Sequence, residues 1–390
     1  MSCFSHLRSR RRWAARGFCL ALIVIATQLA AQNPTLKTRP KELRDREYLE
    51  AHRITLNVQV ADGSGEGVRD LTAADFALLD NDQPRKIAGV HRIDGEAMND
   101  ATEVVILLDA VNTSAQSLEE ERQAIFNYLA HNHGPLPYPT SFVLWFNGEL
   151  KATAPTTDRN TLGRAFVKTT KAMHSNACSS DGKFEQVVAG PAVPEKAGSA
   201  SENAAHCQQV HFRDSLAALD GIAQQQRAVG GRTILIWVGS GWPLLSEVEF
   251  TQPSAKARAG FFDELANLLR DLRDSQVTVD VLSPPDATRE KQFGRVDLKA
   301  LMAGTTSARN AGPANLALPI LATQTGGRVL TASHDLTAGL GSCMRDADSY
   351  YTVLFEAMPA TTSHEFHRIE VKVKRPGLDV RTMTAYYAEP

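Results

Sequence analysis

A carboxylate followed by small polar residues stands at the end of an unbroken apolar stretch of this sequence. Asp109 comes directly after the run Val104–Leu108, and Asn112, Thr113 and Ser114 follow it. Five apolar residues in a row predict a strand that is buried on both faces, as parallel sheets require. A carboxylate at the carboxyl end of such a strand lies where open α/β sheets bind their ligands. The pattern therefore predicts a binding site at this strand end.

The alternative interpretation of the same residues is structural. Asp109 would then cap a helix or accept hydrogen bonds at the end of the strand, and Asn112, Thr113 and Ser114 would be loop residues of the same kind. Sequence alone leaves both interpretations open.

Ser240 is a second candidate, because a serine in the turn after a buried strand can act as a nucleophile. It follows the apolar run Ile234–Val238, but the Gly-x-Ser-x-Gly pattern of a nucleophile elbow fails at Val238 and at Trp242. A tight turn from strand to helix is the favoured interpretation. A hydrolase that pairs Ser240 with a histidine is the enzymatic alternative.

Hydrophobic patterning divides the chain into an α/β centre between two β segments. Strands and helices alternate over residues 101–345, which predicts a doubly wound, mostly parallel sheet with helices on both faces. Residues 174–208 interrupt this alternation with a polar, poorly periodic stretch that we expect to be a surface loop. Residues 51–95 and 346–390 each have too few strands to bury much surface alone, so we expect them to pack together as a small sandwich.

The elements expected in the α/β centre can be placed individually. Its strands are predicted at Val104–Leu108, Phe142–Phe146, Ile234–Val238, Val277–Leu282 and near Arg328–Leu330, with an antiparallel edge strand at Glu149–Thr153 after the turn Asn147-Gly148. The clearest helical stripe is formed by Phe261, Phe262, Leu265, Leu268, Leu269 and Leu272.

The first residues have the composition of a secretory signal. Five arginines precede the apolar run Phe18–Ala26, and small residues lead to a predicted cleavage site after Ala31. The apolar run is shorter than the ~20 residues that a membrane-spanning helix needs, so export with cleavage is favoured over a retained anchor. Residues 32–50 are polar and predict a linker. The protein is therefore expected to be periplasmic or secreted, without stable membrane insertion after cleavage.

The cysteine content agrees with export, and the net charge disfavours two classes of binding partner. The formal net charge is −2, and removal of the signal makes the remainder more acidic, which disfavours nucleic acid and anionic lipid as partners. Cys178, Cys207 and Cys343 lie after the signal. Because Cys178 and Cys207 flank the polar insertion, we expect them to form a disulfide, with Cys343 free or buried.

The order of these segments resembles the von Willebrand factor A (VWA)-related family described from acidobacteria, in which an exported chain combines a β module, an A-type domain and a β tail. The stretches that carry the resemblance are Val58–Asp62, Leu71–Phe76, Asp80–Pro84, Leu107–Thr113, Leu321–Gly327 and Tyr350–Tyr387. The resemblance implies a Rossmann-like domain over most of the mature chain.

The resemblance also implies a metal-ion-dependent adhesion site, but in degenerate form. Such sites combine an Asp-x-Ser-x-Ser run, a threonine and a second aspartate around Mg²⁺. Asp109 fits the first position and Thr113 the second hydroxyl, whereas Val111 replaces the first serine and Gly239–Trp242 contains no aspartate. One carboxylate and one or two hydroxyls are a poor ligand set for Mg²⁺.

These observations predict an exported, non-enzymatic binding protein that contacts an unknown protein partner through the carboxyl edge of its sheet. No cofactor is expected, and Mg²⁺ at Asp109 and Thr113 is the one candidate. Trp242 is either an aromatic anchor or packed under a loop. The residues assigned to the contact face are Asp109, Asn112, Thr113, Ser114, Ser240 and Trp242. A hydrolase and a purely structural envelope component are the alternatives.

Overall fold

The computed structural model describes residues 53–94, 102–131, 134–178, 200–239, 241–242, 253–285, 297–331 and 335–390. Residues 52–390 form one compact unit. The expected signal (1–31) and linker (32–50) lie outside the described residues, as does Ser240. Among the helices of the described ranges, none combines the length and the apolar character needed to cross a membrane.

Fourteen strands and seven α-helices are described, and all labels below refer to them. The strands are β1 (Arg53–Ala61), β2 (Phe76–Asp80), β3 (Gln83–Arg85), β4 (Ile87–Asp94), β5 (Thr102–Asp109), β6 (Thr140–Phe146), β7 (Glu149–Ala152), β8 (Arg232–Val238), β9 (Val277–Ser283), β10 (Val329–Thr331), β11 (Ser349–Glu356), β12 (Glu365–Val373), β13 (Asp379–Arg381) and β14 (Ala385–Ala388). The helices are α1 (Ala115–His131), α2 (Arg159–Thr170), α3 (Ala200–Val229), α4 (Ala255–Asp274), α5 (Leu298–Met302), α6 (Leu318–Gln324) and α7 (Leu336–Met344).

A six-stranded sheet forms the centre of the molecule, with the strand order β10-β9-β8-β5-β6-β7. Neighbouring strands are parallel except for β6 and β7, which form an antiparallel hairpin. Asn147 and Gly148 make its turn with positive φ angles of 53° and 72°. From β5 the chain continues to β6 on one side and later crosses to β8 on the other side of β5. The switch point of this doubly wound sheet therefore lies between β5 and β8. The predicted α/β fold class is confirmed.

Both faces of this sheet are covered, which explains the unbroken apolar runs in its strands. Val105 and Leu107 pack with α3, α4 and α6 on one face. Val104 and Ile106 pack with α1, α2 and α7 on the other. Because successive side chains of a strand point to opposite faces, a strand covered on both sides needs apolar residues at every position.

Two four-stranded sheets contain strands from both ends of the described chain. Their orders are β13-β1-β11-β4 and β14-β12-β2-β3. In the first, β1 pairs antiparallel with β11, and Leu56 lies opposite Val353. In the second, β2 pairs antiparallel with β12, and Leu78 lies opposite Val371. Side chains of both sheets share one apolar cluster, so neither terminal segment completes this core alone.

Helix α3 begins earlier than the polarity of its sequence indicates. Residues 174–208 are expected to be a loop, but α3 starts at Ala200, so the last part of that stretch is helical. The described residues of its first turns are small or polar and at most half-buried until Cys207. A segment without an apolar stripe has no helical periodicity, so the start of α3 lies earlier than the sequence pattern predicts.

Candidate functional site

Asp109 is the last residue of β5, and its side chain is completely buried. One carboxylate oxygen accepts hydrogen bonds from the backbone N–H groups of Val111 (3.0 Å) and Asn112 (2.9 Å). The other accepts from the indole Nε1–H of Trp237 at 3.0 Å. The side-chain amide of Asn112 donates to both oxygens, at 3.1 Å and 2.9 Å. Four N–H groups therefore surround this carboxylate.

The electrostatics of Asp109 combine two opposing effects. Burial raises the pKa of Asp109 above its ordinary value, and the hydrogen bonds from Asn112, Trp237 and Val111 act in the opposite direction. Each of these contacts is an N–H donor, which favours the charged form, but burial is the larger effect and the pKa of Asp109 is shifted upward. The chain's own N–H groups thus satisfy the hydrogen-bonding capacity of this buried carboxyl group.

Asn112 connects the strand end to helix α3. One hydrogen of its Nδ2 amide is shared between the two carboxylate oxygens, and the other is donated at 3.0 Å to the hydroxyl of Ser215, which is fully buried. The residue itself is half-buried. A neutral amide therefore occupies the position directly in front of both carboxylate oxygens, where a bound cation would have to lie.

Thr113 and Gly239 close the same site from two sides. Thr113 is fully buried, and its carbonyl accepts a hydrogen bond from the hydroxyl of Ser175 at 2.6 Å. Gly239 follows β8 with φ +146°, and a Cβ at this position would lie 2.7 Å from Cβ of Asp109 and 2.9 Å from Oγ1 of Thr113. Only glycine fits between them, and this close contact leaves little space beside the carboxylate. Ser114, in contrast, is exposed.

Trp242 packs inside the molecule. It is 3% exposed, its indole Nε1–H donates to the carbonyl of Leu316 at 2.9 Å, and its ring meets the ring of Trp237 edge-on with centroids 5.5 Å apart. Of the two expectations for Trp242, the structure shows packing under a neighbouring segment. Asp109, Thr113 and Trp242 therefore do not offer their side chains to a partner at the surface, and among the assigned residues that the structure describes, Asn112 and Ser114 have accessible atoms.

The residues present do not fit Mg²⁺. This ion requires near-octahedral oxygen ligands, whereas the carboxylate of Asp109 faces N–H donors and the amide of Asn112 directs a donor toward any ion placed before it. Thr113 supplies a hydroxyl, but Gly239 lies against it. The Ser240 side chain lies outside the described residues. The described donor set is that of a hydrogen-bonded strand end.

The expected disulfide between Cys178 and Cys207 is present. It joins the segment after α2 to the first part of α3. The same segment contacts the strand end, because the backbone N–H of Asn176 donates to the carbonyl of Ala110 at 2.8 Å. His211 lies beside the two sulfurs, and burial lowers its pKa below the ordinary value for histidine. Cys343 is a buried free cysteine.

A second buried acid, Asp280 on β9, links the central sheet to the terminal strands. It accepts a hydrogen bond from the backbone N–H of Arg328 at 2.7 Å. The side chains of Arg328 and Arg381, the latter on β13, both pair with Asp346. Burial and the nearby charge of Asp346 raise the pKa of Asp280 to about 7. This cluster joins elements of the fold and is not at the carboxyl edge.

Two residues of the site at Asp109, Trp237 and Ser215, were not among the sequence candidates. The signal for Trp237 was its indole, because a buried tryptophan N–H needs an acceptor. Nothing local indicated Ser215, which is 103 residues from Asn112 in sequence.

Comparisons with known proteins show remote similarity. No family model and no curated protein matches the sequence. The structure of human COPII-coat protein Sec24c is similar with a TM-score of 0.33 and 9% sequence identity. The match covers 84% of this chain and 48% of the Sec24c chain. The structure of the SpRpn10 VWA domain is similar with a TM-score of 0.27 and 8% identity, covering 62% of this chain and 94% of that chain. Similarities this remote carry no argument about function.

Proposed function

We propose that this protein is an exported, non-enzymatic binding protein whose α/β domain is of the VWA type and contacts a protein partner through the carboxyl edge of its sheet. The doubly wound strand order supports this proposal, because ligands of such sheets bind outside the carboxyl ends of the strands at the switch point. Asp109 ends β5, one of the two strands that flank that point.

The contact is independent of a metal ion in this proposal. The observation that carries this step is the amide of Asn112, which donates to both oxygens of Asp109 where an adhesion-type site would hold its cation. The role of Asp109 is then to fix the loop between β5 and α1. The accessible residues at the end of that loop and in the first turn of α1 are Ser114, Ala115 and Gln116, and they form the contact face together with the half-buried Asn112.

Photo-crosslinking in the native host tests the contact face. Benzoylphenylalanine replaces Ser114 in one variant and Val229 in a control variant. Val229 is 64% exposed and stands at the end of α3, next to the amino end of β8. We expect a discrete protein adduct from position 114 and not from position 229, unchanged by EDTA.

Other outcomes of this experiment contradict specific parts of the proposal. Equal adducts from both positions, or none from position 114, would show that the carboxyl edge is not the contact face. That result would favour a purely structural role. An adduct that EDTA abolishes would show that the contact depends on a metal.

Export is supported by the Cys178–Cys207 disulfide, because disulfides persist in oxidising compartments. N-terminal analysis of protein recovered from the native host tests this part. A mature chain that begins after Ala31 is expected, and recovery of the uncleaved chain from the cytosol would contradict export.

A further inference from the structure

Two sulfurs and one imidazole meet on the helix α3 side of the molecule. Cys207 and His211 are four residues apart on α3 and therefore lie on the same face of the helix. Cys178 approaches from the segment after α2. The Cys178 sulfur lies 3.3 Å from Nδ1 of His211, and the Cys207 sulfur lies 3.9 Å from Nε2. Cys207 and His211 are buried, and Cys178 is half-buried.

The grouping of one ring nitrogen with two sulfurs is compact enough for ligands of one zinc ion. With Zn–S bonds of ~2.3 Å and Zn–N bonds of ~2.0–2.1 Å, ligands of a tetrahedral ion place sulfur and nitrogen about 3.6 Å apart. In the structure, one ring nitrogen of His211 and the two sulfurs all lie within 4.8 Å of one another, and the Cys178 sulfur lies 3.3 Å from Nδ1. The two sulfurs would have to separate to about 3.8 Å, which requires that the disulfide first be reduced.

We propose that Cys178, Cys207 and His211 form a redox-controlled zinc site, in which the disulfide and the bound metal exclude each other. A dithiol reductant supplies two electrons and two protons, the S–S bond breaks, two thiols form, and the dithiol becomes a disulfide. Zn²⁺ then binds both sulfurs and one ring nitrogen of His211, and the two thiol protons are released to solvent. Water takes the remaining position of the tetrahedral ion.

The choice of zinc follows from the ligand types. Thiolates and imidazole are ligands that select zinc over the hard cations Mg²⁺ and Ca²⁺, which prefer oxygen. Thiolates bind metals only after deprotonation, so binding is expected to strengthen as the pH rises. This site is separate from the strand end at Asp109, and it does not depend on the proposed contact with a protein partner.

The test uses the full chain, reduced with a phosphine, freed of metal and titrated with Co²⁺ without oxygen. We expect a thiolate-to-cobalt charge-transfer band that saturates at one ion per chain and is displaced by Zn²⁺. The oxidised protein should show no such band. His211→Ala should weaken Zn²⁺ binding at least about tenfold, because even residues that only support metal ligands typically contribute ten- to a hundredfold.

Matched control variants test whether metal binding depends on Cys178, Cys207 and His211 and not on other residues. His174→Ala removes a nearby histidine that packs against Phe146, and Cys343→Ser removes the one other thiol of the described residues; both should leave the titration unchanged. The proposal is overturned if the reduced, folded chain shows no saturable band, if oxidised protein binds equally, or if His211→Ala binds as tightly as the parent. Loss of the native circular dichroism on reduction would overturn it as well, because the site requires a folded α3.

Discussion

Replacing Asn112 by alanine tests whether this residue takes the place of a cation. Its amide contacts both oxygens of Asp109, at 2.9 Å and 3.1 Å, while three other N–H groups remain in the variant. A hydrogen bond to a buried charge typically contributes about 1.5–3 kcal/mol. We therefore expect Asn112→Ala to lower the free energy of unfolding by about 2 kcal/mol, which is roughly a thirtyfold change in the folding equilibrium constant.

A double-mutant cycle measures the interaction energy between Asp109 and Asn112. Asp109→Ala, Asn112→Ala and the double variant are unfolded in urea at mildly alkaline pH, with tryptophan fluorescence as the signal. The coupling energy between the two positions should be about 1.5–3 kcal/mol. Ser215→Ala measures the hydroxyl contact of the amide separately. Gln116→Ala, on the exposed first turn of α1, should stay within about 0.5 kcal/mol of the parent.

Two results would refute this reasoning. A coupling energy below about 0.5 kcal/mol would show that the amide does not stabilise the buried carboxylate. Stabilisation of the parent protein by Mg²⁺ would show that a cation reaches oxygens that the amide is expected to occupy.

Three further predictions concern stability. Burial and the charge of Asp346 raise the pKa of Asp280 from 3.8 to about 7, so between these pH values the folded state binds a proton that the unfolded state has lost. The free energy of unfolding should therefore fall as the pH rises from about 4 to about 7. Asp280→Asn should flatten that slope in urea titrations at several pH values. Gly239→Ala should cost roughly 3 kcal/mol in the same assay, because its Cβ would meet Asp109 and Thr113, whereas Gly163→Ala in α2, with nothing within 4 Å, should be neutral or stabilising. Trp242→Phe should lower the melting temperature and cost about 1–3 kcal/mol, because the buried carbonyl of Leu316 loses its donor; an unchanged melting temperature would contradict this.

The central sheet could be predicted because its strands are covered on both faces. That environment requires apolar residues at every position, so Val104–Leu108 and Ile234–Val238 could be identified as strands without knowledge of their neighbours. The hairpin after β6 could also be predicted, because Asn147-Gly148 has the turn chemistry that positive φ angles require. In both cases, residues that are adjacent in the sequence determine the element that forms.

The interior of the candidate site could not be predicted, because its contacts join distant parts of the chain. Trp237 is 128 residues from Asp109, and Ser215 is 103 residues from Asn112. A sequence pattern can place a carboxylate at a strand end, but it does not show which donors reach that carboxylate. The same limit applies to Trp242, whose orientation depends on the carbonyl of Leu316.

Helix α3 connects the two proposals physically. Cys207, His211 and Ser215 recur at intervals of four residues, so they lie along one face of the helix, and Ser215 accepts the hydrogen bond from Asn112. The segment that carries Cys178 also holds the strand end through Ser175 and Asn176.

A change at the sulfurs therefore has a direct route to the loop that carries the contact face. The indole of Trp237 donates to Asp109, so the tryptophan emission of the protein includes a contribution from this strand end. Reduction followed by Zn²⁺ should change that emission in the parent protein and not in His211→Ala. An emission change that persists in His211→Ala would show that reduction alone disturbs the strand end, without any contribution from the metal. No change in either protein would show that the two sites are independent, while the cobalt titration would still decide whether the zinc site exists.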